Sequence, residues 1–115
     1  MQDEEFEQIV NQSLDELPKE FAEQLDNVEV VIEDWPVDEN GRPHARLLGL
    51  YHGVPKIERG SPPLLPDKIT IYKGPLLLIS HSVEQAKKNI KNTVLHELGH
   101  HFGLSDEELE KLKIH

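Results

Sequence analysis

His96, Glu97 and His100 stand in the order His-Glu-x-x-His, inside the run Val94-Leu95-His96-Glu97-Leu98-Gly99-His100. Residues four apart on an α-helix lie about one turn apart on the same face, so two imidazoles at this spacing can converge on one tetrahedral ion. The glutamate between them then sits beside that ion, where a carboxylate can take a proton from water. The pattern continues with Gly103 seven residues and Asp106 ten residues beyond His96. A straight helix cannot bring a third ligand onto the same ion, whereas a glycine after His100 lets the chain turn sharply. Asp106 could swing back as that ligand and leave a fourth position for water, as a hydrolytic zinc centre requires and a closed structural centre does not. Asp106 would also suit the acidic first turn of a following helix, and Glu107 and Glu108 are substitute carboxylates. The expected site is one zinc ion on His96, His100 and Asp106, with Glu97 as general base.

A long helix must carry this motif. Ser82 with Gln85 three residues later forms a capping box, and the helix it opens can run to Phe102, where Gly103 supplies the stop. At about 100° per residue, Asn89, Thr93, His96 and His100 fall on one narrow face. Ile90, Val94, Leu98 and Phe102 fall on the opposite side with Leu95 beside them, and Glu97 lies at the edge of the polar face. The helix can therefore pack into a core while showing both histidines to a cleft. His101 rotates toward the apolar side and is expected to be packed rather than to ligate. Ser105 with Glu108 offers a second capping box for a short last helix through Leu109 and Leu112.

Upstream, Phe6, Ile9, Val10, Leu14 and Leu17 recur at helical spacing, with Asp3 as a candidate cap. Pro18 suits the first position of a second short helix that turns Phe21 and Leu25 inward. Val28, Val30 and Ile32 alternate with Glu29, Val31 and Glu33, the pattern of a strand with one buried face, ended by Trp35-Pro36. Residues 38–46 hold Asn40-Gly41 and Pro43 and read as a surface turn or loop. Residues 47–54 follow as a second strand and 55–66, with four prolines, as a loop. Residues 69–72 read as a third strand, broken by Gly74-Pro75; the apolar run 76–79 is a further strand or a buried connection.

The chain is long enough for one domain, residues 1–115, and too short for two. Twenty-two acidic against twelve basic residues give a net charge of −10, with no basic cluster, which argues against nucleic acid and anionic membranes as partners. Without cysteine, any metal must be held by histidine and carboxylate. The N-terminus is acidic and no apolar run approaches a membrane span, so a cytoplasmic protein is expected, monomeric or weakly oligomeric.

Four segments, in the same order, resemble those of the bacterial minimal zincins: Leu14-Asp15-Glu16-Leu17-Pro18, Leu48-Gly49-Leu50-Tyr51-His52-Gly53-Val54-Pro55, Pro66-Asp67-Lys68-Ile69-Thr70-Ile71-Tyr72, and the motif from His96 through Asp106. The resemblance implies an α+β, zincin-like single domain. It would have N-terminal helices, a small twisted mixed sheet of three to four strands, a long active-site helix, and a glycine turn delivering Asp106 ahead of a short C-terminal helix. It also implies a metallopeptidase that hydrolyses peptide bonds with zinc-activated water and Glu97 as base, acting on a peptide or protein. The substrate would lie along an exposed strand edge, for which residues 69–72 are the candidate. Tyr51, His52, Tyr72 and His81 are the available types for stabilising an oxyanion, while His44 and His115 are expected to be solvated. The competing reading is a zinc-binding module without turnover that holds a partner-binding surface.

Overall fold

The computed structural model describes residues 1–22, 28–53, 67–104 and 107. The expected inward turn of Leu25, the loop over 55–66, Asp106, Glu108, the short last helix and His115 lie outside the described residues.

Helix α1 (Asp3–Asp15) buries Phe6, Ile9 and Val10, the stripe its periodicity demands. Asp3 lies in its first turn, not at the cap, and pairs with Lys73. Gln2 occupies the cap position without a side-chain bond. The carbonyl of Pro18 accepts the first amide bonds of α2 (Lys19–Ala22).

The sheet is mixed and orders its strands β1 (Val28–Glu33), β3 (Asp67–Tyr72), β2 (Gly49–His52). β1 runs parallel to β3 and β2 antiparallel to it, with Val28 opposite Asp67 and Gly49 opposite Ile71. Five of the six β3 residues are buried, including neighbours on opposite faces, as a central strand requires. The expectation that residues 69–72 form the exposed edge is therefore corrected. Local alternation cannot reveal which strands flank a third, and among the described residues β2 is the edge nearest the histidines. β2 is also shorter than residues 47–54.

β3 ends at Tyr72, ahead of Gly74-Pro75 as expected, and the apolar run at 76–79, read as a further strand or a buried connection, instead belongs to a helix, α3 (Lys73–Leu78), with Ile79 at its cap. Proline is tolerated there because amides of a first helical turn have no partner within the helix. Helix α4 (Val83–Phe102) has the expected ends. The Ser82 hydroxyl accepts the Gln85 amide at 3.0 Å, and the Gln85 side chain reaches back to the amide of His81. At the other end Gly103 adopts φ 75°. The Leu104 amide bonds the Gly99 carbonyl and the Gly103 amide bonds that of His100, the paired closure of a Schellman turn.

α4 lies against α1 and the sheet. Ile90, Val94 and Leu98 join Phe6, Ile9, Val10, Leu17, Ile69, Ile71 and Leu76 in one core. Burying each such aliphatic side chain is worth about 1.5–3 kcal/mol, so this core fixes the rotation of α4 about its axis and with it the direction of the histidines. No helix among the described residues is long and apolar enough to cross a membrane.

Candidate metal centre

His96 and His100 emerge from the last turns of α4 with their Nε2 atoms 3.2 Å apart and their rings edge to face. Two nitrogens bound to one tetrahedral zinc at about 2.0–2.1 Å lie about 3.3–3.4 Å from each other, so the imidazoles stand at ligand spacing. His96 is half-buried and His100 exposed, leaving one side open to solvent. The side chain of Glu97 completes a group whose donor atoms all lie within 4.8 Å of one another. Nitrogen and oxygen donors without sulfur suit zinc, so the residues present fit the ion that the motif implies.

Glu97 is itself buried, at 7 % exposure. Loss of hydration pushes its carboxyl above the usual value, and His100 and then His96 pull it part of the way back. Strand β2 crosses α4 at this residue, and Gly49 makes the crossing possible. A Cβ there would meet Glu97 Cγ at 2.9 Å, Thr93 Cγ2 at 3.0 Å and the Thr70 carbonyl at 3.2 Å. Beside the crossing, a cleft of roughly 580 Å³ opens between Leu47, Leu48 and Leu50 on one wall and Asn89, Asn92 and Thr93 on the other, with His96 and Glu97 at its lining.

The ladder phase gives β2 a direction. The Tyr72 amide donates to the Leu48 carbonyl at 2.9 Å, and bonded and non-bonded pairs alternate in an antiparallel ladder. Gly49, opposite Ile71, thus falls in a non-bonded pair, and its N–H and C=O face away from β3.

Of the residue types available for an oxyanion, Tyr51 alone among the described residues lies in ring contact with the histidine pair. Its ring lies 6.4 Å from that of His100, but its hydroxyl donates to Asp67 at 2.7 Å. His81 precedes α4, about 20 Å along the helix axis from His96. Tyr72 is buried, and desolvation followed by the charge of Glu33 raises its phenol. His52 is exposed at the end of β2. His44, expected in solvent, is half-buried and accepts the Arg46 amide. Glu107, one of the substitute carboxylates, is exposed.

His101 is packed, as its rotation requires, and it has a partner that the sequence did not announce. Its Nδ1 lies 2.7 Å from Asp67 Oδ2, the oxygen that also accepts the Tyr51 hydroxyl. An aspartate opening an apolar strand is an ordinary surface pattern. Only the 34-residue separation from His101, closed by the fold, makes it a buried partner.

The zincin-like metallopeptidase family matches residues 25–115. A conserved hypothetical protein from Thermo thermophilus has a similar structure, with a TM-score of 0.57 at 24% identity over 94% of this chain and 96% of that one. At that identity the likeness concerns the fold. No curated protein matches the chain.

Proposed function

The chain belongs to the zincin-like metallopeptidase family, and from that premise we propose that it is a zinc-dependent peptidase with His96, His100 and Asp106 as metal ligands and Glu97 as general base. The observation that carries this reading is the 3.2 Å separation of the two Nε2 atoms with a buried carboxylate on the residue after His96. A surface His-x-x-x-His pair formed by chance has no reason to bury the glutamate inside it.

When bound, zinc polarises the substrate carbonyl and lowers the pKa of water at its open position. The chain's own residues do the rest. Glu97, its carboxyl raised by burial, is a better proton acceptor than a solvated glutamate. It takes the proton from the attacking water and returns it to the leaving amine. The outward N–H and C=O of Gly49 offer main-chain hydrogen bonds to an extended peptide laid along β2. Such a peptide passes Glu97 at the point where β2 crosses α4, and its side chains meet the leucines of the cleft.

The test pairs metal analysis with cleavage of a broad peptide mixture by wild type and Glu97→Gln. The expected result is one zinc per chain in both, with turnover lowered about 10²–10⁴-fold in the variant. Unchanged cleavage by the variant removes Glu97 from its role. Tight zinc binding without cleavage by wild type favours a metal-held interaction module.

A further inference from the structure

Three side chains from β2, β3 and α4 meet at one oxygen. Asp67 Oδ2 accepts the hydroxyl of Tyr51 at 2.7 Å and stands 2.7 Å from Nδ1 of His101. The carboxylate and the imidazole of this pair are 3 % and 0 % exposed. With Asp67 ionised, its carboxylate only accepts and Nδ1 of His101 is the donor. The other ring nitrogen, Nε2, is buried with no hydrogen-bond partner among the described residues.

That orphan atom bears on what His101 is for. A buried polar atom without a partner costs stability, and an apolar ring would fill the space without the cost. Packing alone therefore does not account for a histidine here. Its bond to Asp67 does, because that bond ties the last turn of α4 to the start of β3.

The network also closes on His100. Tyr51, held at its hydroxyl by Asp67, lays its ring 6.4 Å from that of His100 at an interplanar angle of 27°, and 6.1 Å from that of His101. The end of β2 presses down on the same group. A Cβ at Gly53 would fall 2.6 Å from Asp67 Cγ, Asp67 Oδ1 and Tyr51 Oη, so no larger residue fits without displacing the carboxylate or the hydroxyl.

We propose that Asp67 is a positioning residue for the metal centre, fixing His100 through Tyr51 and His101 so that its imidazole is aimed before an ion arrives. The proposal rests on the reading of His96 and His100 as ligands. A pre-aimed ligand loses less freedom on binding, so the network's contribution is expected in metal affinity and coordination geometry, although Asp67 is not itself a ligand.

The test titrates the metal-free full chain with cobalt(II), read by its visible absorption, and with zinc by competition. Wild type is compared with Asp67→Asn, Tyr51→Phe and Ile9→Val, the last a truncation of a buried core side chain on α1 that reports mere destabilisation. The expected result is a roughly 10- to 100-fold loss of affinity in Asp67→Asn with an altered cobalt spectrum, and a smaller loss in Tyr51→Phe. Ile9→Val should lower the melting temperature and leave the spectrum alone. A folded Asp67→Asn with wild-type affinity and spectrum overturns the proposal. Should Asp67→Asn fail to fold, Tyr51→Phe decides, since it keeps the ring and the His101–Asp67 bond. Wild-type affinity in that variant overturns the proposal, and a loss supports it. A wild type that takes up neither cobalt nor zinc removes the ligand reading and the proposal together, an outcome distinct from binding that is indifferent to Asp67 and Tyr51.

Discussion

A Cβ added at Gly49 would stand 2.9 Å from Cγ of Glu97, so β2 and α4 touch at the one residue of β2 that lacks a side chain. The contact is with the middle of the glutamate side chain and, at 3.2 Å, with the backbone carbonyl of Thr70, neither of which can yield like the tip of a lysine.

Gly49→Ala should therefore displace Glu97 while leaving the histidines on α4 in place. Misplacing a catalytic group by about 1 Å can cost about 10²-fold in rate, so peptide cleavage is expected to fall between 10- and 100-fold. Zinc affinity should stay within about threefold of wild type, because the ligand atoms are not in this contact. Kinetics and metal competition on the same preparation check both. Equal losses in the two would show that the residue supports the whole centre rather than the base.

Glu97 should also make the metal-free protein pH-sensitive in a definite direction. Burial raises its carboxyl above 4.5, with His100 and His96 opposing. A group whose folded value is raised contributes its stability below the unfolded value and loses it as pH climbs through the folded one. Metal-free wild type should thus lose ground to Glu97→Gln as pH rises from 4 to 8. The expected difference is nil near pH 4 and a few degrees of melting temperature in favour of the variant at neutral pH. Thermal melts across that range in chelator decide it, and a variant less stable at pH 7 would contradict the assignment.

The sequence disclosed α4 almost whole, because its evidence is local: a serine and a glutamine three apart, an apolar stripe of Ile90, Val94 and Leu98, and a glycine stop. Rotation alone also placed His101 among packed residues. Strand neighbours were not legible in the same way. Residues 69–72 read as a strand, but the parallel pairing of β1 with β3 over the intervening β2 is a long-range choice that leaves no local mark. Gly74-Pro75 reads as punctuation, yet proline near a helix start and after a strand end look alike in one dimension. The bond between Asp67 and His101 joins residues 34 apart and is invisible until the strand and the helix are in contact.

Trp35 and Gly74 give a prediction whose sign separates two effects. Gly74 lies in the first turn of α3, where alanine is intrinsically better by about 0.8–1 kcal/mol. A Cβ there would, however, stand 2.6 Å from Cδ2 and Cζ2 of the Trp35 ring. Overpacking of this kind typically costs about 1–3 kcal/mol, so Gly74→Ala should destabilise by about 1–2 kcal/mol despite the better helix former. Trp35 is the only tryptophan, so its emission reports the displacement directly. Increased stability with unchanged emission would mean that the ring moves aside freely.

Gly103 and Asp106 test the third ligand. Gly103 holds φ 75°, a conformation that costs a residue with a Cβ about 1–2 kcal/mol and that asparagine tolerates better than alanine. Among the described residues nothing crowds its Cβ position, so the penalty there is conformational and not steric. Gly103→Ala should lower the melting temperature more than Gly103→Asn. If the turn delivers Asp106, zinc affinity should follow the same order. Asp106→Ala should weaken zinc binding by at least 10-fold and leave the metal-free melt within about a degree. Competition titrations of the three variants provide the comparison. Wild-type zinc affinity in Asp106→Ala would return the role to Glu107 or Glu108, and single substitutions at those two positions would then find it.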